Sequence, residues 1–99
     1  RIPEPLFQAL IRESESVRVQ PLDAYLRWKL IANLPSPVLG EPQERGQPVV
    51  VRSVRMPVQD ISALDCASRK ERMTRHAFCV RVLAGPAPVV VWSVDHQHQ

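Results

Sequence analysis

Apolar positions recur with a helical period in the first third of the chain and with a strand-like period in the last half. Over Ile2 to Glu15, Leu6 with Leu10 and Phe7 with Ile11 stand four apart, the spacing of one helical face. Pro5 fits the first turn, where its missing N–H costs nothing, and Glu4 suits the positive end of the helix dipole. Val17–Gln20 reads as a short extended connector. From Pro21 to Leu34, Leu22, Tyr25, Leu26, Leu30 and Leu34 fit one broad face. A period-two alternation competes there, with Ala24, Leu26, Trp28, Leu30 and Ala32 on one side. The good helix formers Ala, Leu, Arg and Lys, and a length of fourteen residues, favour helix, which Pro35 stops.

The second half reads differently. Residues 35–47 form a proline-punctuated linker. The stretch Pro48-Val49-Val50-Val51-Arg52-Ser53-Val54-Arg55 then nearly recurs as Pro88-Val89-Val90-Val91-Trp92-Ser93-Val94-Asp95, with six of eight positions identical. Branched side chains fit a pleated, half-buried surface, so both are expected to be strands. In His76–Leu83, Phe78, Val80 and Val82 alternate with Cys79, Arg81 and Leu83, which predicts a third strand turning at 84–87 into the second valine run. Between 59 and 75 the chain is polar. A helix over 62–74 is expected there, with Leu64, Ala67 and Met73 as a thin apolar stripe and a long loop as the competing reading.

These elements predict an α+β fold: two N-terminal helices packed on an antiparallel sheet of three or more strands, 48–56, 76–83 and 88–95. Leu6, Leu10, Leu26 and Leu30 should face Val50, Val54, Phe78, Val80, Val82, Val90 and Trp92. The 99 residues should make one domain, with a helical part (1–34), the linker (35–47) and a strand-rich part (48–95). The 88–95 run, with a hairpin partner, is expected to be structural, and 48–56 the strand that meets something outside the domain.

Ten prolines against three glycines predict rigid connections. The net charge of +3 is unevenly placed. Residues 1–44 carry five basic and six acidic groups, residues 45–81 eight and three, and residues 82–99 only Asp95. No apolar run reaches the ~18 residues of a membrane span, and no secretory signal is visible. Two cysteines do not make a disulfide framework, so an intracellular, cytoplasmic protein is expected. A sequence opening on Arg1 rather than Met is expected of a fragment or processed form.

Candidate chemistry follows from residue types. Cys66, His76, Cys79, His96 and His98 could ligate zinc, but a strand at 76–83 points His76 and Cys79 to opposite faces, so no metal or other cofactor is expected. Cys66 or Cys79 with His76 would need a third, orienting group, for which Asp60, Asp65 and Asp95 are available, but neither a phosphate-cradling glycine loop nor a nucleophile elbow is present, so no catalytic residue is assigned. Arg52, Arg55, Arg69, Lys70, Arg72, Arg75 and Arg81 form a basic segment suited to phosphate or carboxylate, and on a helix Arg69, Arg72 and Arg75 would lie near one another. Val58–Ser62 resembles part of the Asp-x-Ser-x-x-Gly element of PilZ cyclic-dinucleotide receptors. Asp65 stands at the glycine position and no Arg-x-x-x-Arg precedes it, so that family is not assigned. The expected function is a small non-catalytic binding domain. It acts through its sheet edge and arginine-rich segment on a protein partner or a second copy, without a membrane. The alternative is a DNA- or RNA-binding accessory protein using the same arginines.

Overall fold

The structure is a computed structural model and describes residues 2–19, 21–34 and 37–87. The described chain is mostly helical. It runs β1 (Ile2–Pro3), α1 (Glu4–Val17), α2 (Leu22–Ile31), β2 (Val49–Val50), α3 (Val58–Lys70) and α4 (Arg75–Ala84). The two strands pair antiparallel, Ile2 opposite Val50 and Pro3 opposite Val49. The expected sheet of three or more strands is therefore wrong: 76–83 is helix, only two residues of 48–56 are strand, and 88–95 lies outside the described residues.

The N-terminal helices form as the spacing predicts. In α1, Leu6, Leu10 and Ser14 are buried at intervals of four, Pro5 sits in the first turn, and Glu4 is the acidic residue there. The helix begins two residues later than expected, because Ile2 and Pro3 pair with the valine run and the Glu4 amide donates to the Pro48 carbonyl at 2.7 Å. It ends on Arg18 in the left-handed region (φ 59°), with the Val19 amide returning to the Ser14 carbonyl. In α2, Tyr25, Leu26, Lys29 and Leu30 are buried on one face.

Helix α3 starts and stops four residues before its expected bounds. Pro57 precedes it, and Leu64, Ala67 and Ser68 form its buried stripe. Helix α4 replaces the predicted strand. Thr74 caps it, its hydroxyl accepting from the Ala77 amide at 3.1 Å, and Phe78, Val82 and Leu83 are buried. Residues 77–83 are apolar at almost every position, so they satisfy periods of two and of 3.6 alike. The cap and the Gly85–Pro86 stop decide for helix. Helix α4 packs on each of the other three helices. The core gathers Leu6, Leu10, Tyr25, Leu26, Leu30, Leu64, Phe78, Val82 and Leu83, with Val54 and Val80 half-buried against it.

The proline-rich segment is a strap held to the end of α4. The Gly40 amide donates to the Arg81 carbonyl at 2.8 Å, and the Arg81 Nε donates back to the Gly40 carbonyl at 2.6 Å. A Cβ on Gly40 would overlap the Ala84 carbonyl group, and one on Gly85 would overlap the Val38 oxygen. Glycine is required at both places for backbone to lie on backbone. Inside the bundle, Lys29, 2 % exposed, reaches Glu13 Oε1 and the Leu83 carbonyl, each at 2.7 Å. The Tyr25 hydroxyl donates to the same Glu13 oxygen at 2.6 Å. Burial, then the bond to Glu13, raises the Tyr25 pKa.

Candidate functional site

The face of α4 turned from the core carries Met73, just before the helix, then His76, Ala77, Val80 and Arg81, at helical spacing. Opposite stand Pro3 and Val49, a cross-strand pair, with Pro42 and Gln43 of the strap. Between these walls lies an open groove of about 410 Å³. Its walls are mainly apolar, and Val49 is half exposed. Pro3, Pro42 and Pro48 stiffen the side opposite the helix, so this wall loses little entropy on binding. A second hollow, about 350 Å³, lies between α2 and α3 at Ala24, Trp28, Ile31 and Ala32, and the Arg27–Asp60 ion pair (3.2 Å) spans its rim.

The basic residues divide into two groups. Three have internal work. Arg52 pairs with Asp23 at 2.6 Å, Arg75 with Asp65 at 3.4 Å, and Arg81 holds Gly40. Arg55, Arg69, Lys70 and Arg72 are exposed and make no ion pair among the described residues. Arg69, Arg72 and Arg75 do not share one helix. Arg69 lies in the last turn of α3, Arg72 takes the left-handed conformation (φ 57°) beyond it, and Arg75 opens α4. The turn still keeps Arg69, Lys70 and Arg72 together as one corner. The Arg72 amide donates to the Arg69 carbonyl at 3.0 Å and the Met73 amide to Ser68 at 3.0 Å. Met73, the next residue in sequence, lines the groove, so one turn carries both a groove residue and the exposed basic residues.

Helix α4 removes the geometric objection to His76 and Cys79 as neighbours. Three apart on a helix, they line one small hollow with Ile2, Leu26 and Leu83. Burial pushes the Cys79 thiol up to about 11, opposed by the nearby Arg75, which disfavours the thiolate that a metal needs. Among the described residues no group of three or more His, Cys, Asp or Glu comes together as a metal site. Cys66 is exposed on α3, away from that hollow, and His96 and His98 lie outside the described residues. No helix among the described residues is long and apolar enough to cross a membrane.

Sequence reasoning missed the groove, because its helical wall read as a strand. The stripe Met73, His76, Ala77, Val80 was its signal. Comparison with protein-family models, with curated proteins and with solved structures finds no match.

Proposed function

We propose that the chain is a non-catalytic binding domain. It takes an extended apolar segment of a protein partner in the groove between the β1–β2 pair and α4. An acidic group flanking that segment meets Arg69, Lys70 and Arg72. The observation that carries this is that the α3–α4 turn holds both Met73, which lines the groove, and the exposed Arg69, Lys70 and Arg72. Apolar burial supplies affinity and the corner supplies orientation. The nucleic-acid alternative loses ground, because Arg52, Arg75 and Arg81 are engaged inside the domain and Glu71 sits within the remaining cluster. Self-association through the sheet edge also loses ground, since β2 is two residues long.

The test is a titration of the chain with a labelled valine-rich peptide ending in aspartates, beside the same peptide ending in lysines. The aspartate peptide should bind roughly threefold to tenfold tighter, as exposed charge contacts give ~0.2–1 kcal/mol each. Val80→Glu should abolish binding. Arg72→Gly should weaken the aspartate peptide alone, while raising stability by ~1 kcal/mol through relief of a left-handed non-glycine residue. Equal affinity for both peptides, or a Val80→Glu chain that binds normally, refutes the proposal. Displacement of the peptide by random duplex DNA at low salt would move the corner to the nucleic-acid alternative.

A further inference from the structure

An extended partner segment brings main-chain groups as well as side chains, and the strand beside the groove has unpaired main-chain groups to meet them. We propose that the segment binds as a third strand of the small sheet, hydrogen-bonded to Val49 and Val51 along the outer edge of β2. The third strand presupposes the groove as the partner site.

The register decides which groups are open. In an antiparallel pair, opposed residues that exchange hydrogen bonds alternate with opposed residues that do not. The Glu4 amide donates to the Pro48 carbonyl, Pro3 faces Val49 and Ile2 faces Val50. The bonded positions are therefore Glu4 with Pro48 and Ile2 with Val50, and Pro3 with Val49 lies between them. The N–H and C=O of Val49 consequently point away from β1. By the same alternation those of Val51, two residues on, do so as well. Neither residue's main chain has a hydrogen-bond partner among the described residues. Both residues are open to solvent, Val49 being 49 % and Val51 74 % exposed. An edge of this kind is a template for a further strand. Val49 also lines the groove. Side chains of an added strand alternate between two faces, so every second one shares the face of this groove residue.

The charges choose the occupant. Residues 45–55 hold Arg45, Arg52 and Arg55 and no acidic residue. Arg45 and Arg55 are exposed and make no ion pair among the described residues. A second copy laid edge to edge would set these arginines against their own kind. A segment with acidic flanks meets them with opposite charge, the same chemistry that suits Arg69, Lys70 and Arg72.

The test uses the full chain, the valine-rich aspartate peptide and two readouts. The first is amide hydrogen exchange, followed residue by residue by NMR. In the free chain the Val50 amide, bonded to β1, should exchange more slowly than those of Val49 and Val51. Saturating peptide should slow Val49 and Val51 at least about tenfold. The second is a series of peptides, each N-methylated at one residue. Methylation at every second residue should weaken binding about twofold to tenfold, the worth of one net hydrogen bond, with little effect at the residues between. Peptide binding with unchanged exchange at Val49 and Val51, or without the period of two, overturns the proposal and leaves the groove as a site read by side chains. Slowed exchange at both amides that survives Val80→Glu upholds the edge and overturns the groove. Slowed exchange on concentrating the chain without peptide overturns the proposal in favour of a second copy. No binding of the peptide refutes both.

Discussion

Removing Glu13 should destabilise the fold more than removing Lys29, although the two side chains form one ion pair. The asymmetry comes from burial. The Lys29 side chain is 1 % exposed and that of Glu13 35 %. In Glu13→Ala the ammonium stays in the core with the Leu83 carbonyl as its remaining acceptor, and the buried Tyr25 hydroxyl loses its acceptor too. A bond to a charged group contributes ~1.5–3 kcal/mol, and a buried polar group left unpaired costs ~1–3 kcal/mol. Water reaching the partly open Glu13 side offsets part of the second figure. The result is ~3–4 kcal/mol, within the ~3–5 kcal/mol typical of breaking a buried pair. In Lys29→Met the apolar stem is retained, Glu13 keeps its bond from Tyr25 and is solvated on its open side, and the chief loss is the partner of the Leu83 carbonyl, ~1–2 kcal/mol. Glu13→Gln keeps an oxygen for both donors and should fall between them. Against a total stability of ~5–15 kcal/mol for a chain of this length, these steps are easily separated. Urea unfolding at fixed pH and 25 °C, followed by far-UV circular dichroism, measures them. A Glu13→Ala chain within about 1 kcal/mol of the native one, or a Lys29→Met chain the less stable of the two, refutes the argument from burial.

Two further outcomes follow from the packing. Gly40→Ala should cost ~2–4 kcal/mol, from overlap with Ala84 and loss of the reciprocal bonds with Arg81; thermal melts check it, and a loss under about 0.5 kcal/mol would show the strap is not held there. Stability should fall as pH rises from 9 to about 11. Cys79, raised from 9.0 to about 11 mainly by burial, keeps its proton when folded and loses it earlier when unfolded, so the folded state binds more protons in that window. Cys79→Ala should flatten this fall in a pH series of urea midpoints, and an unchanged slope counts against the buried thiol.

How much of this was legible in the sequence depends on how local each determinant is. Helices α1 and α2 follow from side chains four apart and from Pro5, Pro21 and Pro35, all within a few residues. Helix α4 reads as a strand because β-branched Val80 and Val82 with Phe78 alternate convincingly, and the Thr74 cap and Gly85–Pro86 stop that bound the helix add no periodic signal. The valine run shows the limit of strand preference. Val49–Val51 can extend, but a strand needs a partner. The partner is Ile2–Pro3, which looks from sequence like the start of a helix. The fate of the arginines was hidden for the same reason. Asp23 lies 29 residues from Arg52 and Gly40 lies 41 from Arg81, so nothing local marks those two as engaged, or Arg72 as without an ion pair among the described residues. Lys29 reads as a surface residue until Glu13, sixteen residues away, is placed beside it.

The turn between α3 and α4 serves both the groove and the corner, and Arg72 sits within it. Arg72 adopts positive φ, and this lets the Met73 amide close on the Ser68 carbonyl. Just after that closure Met73 lines the groove and Thr74 caps α4. A residue that cannot adopt the left-handed conformation at 72 would therefore disturb the groove as well as the charge. Arg72→Val should weaken both the aspartate and the lysine peptide, whereas Arg72→Gly should weaken only the first. Glycine at 72 thus separates the charge of the corner from the geometry of the turn that leads into Met73 and the groove wall.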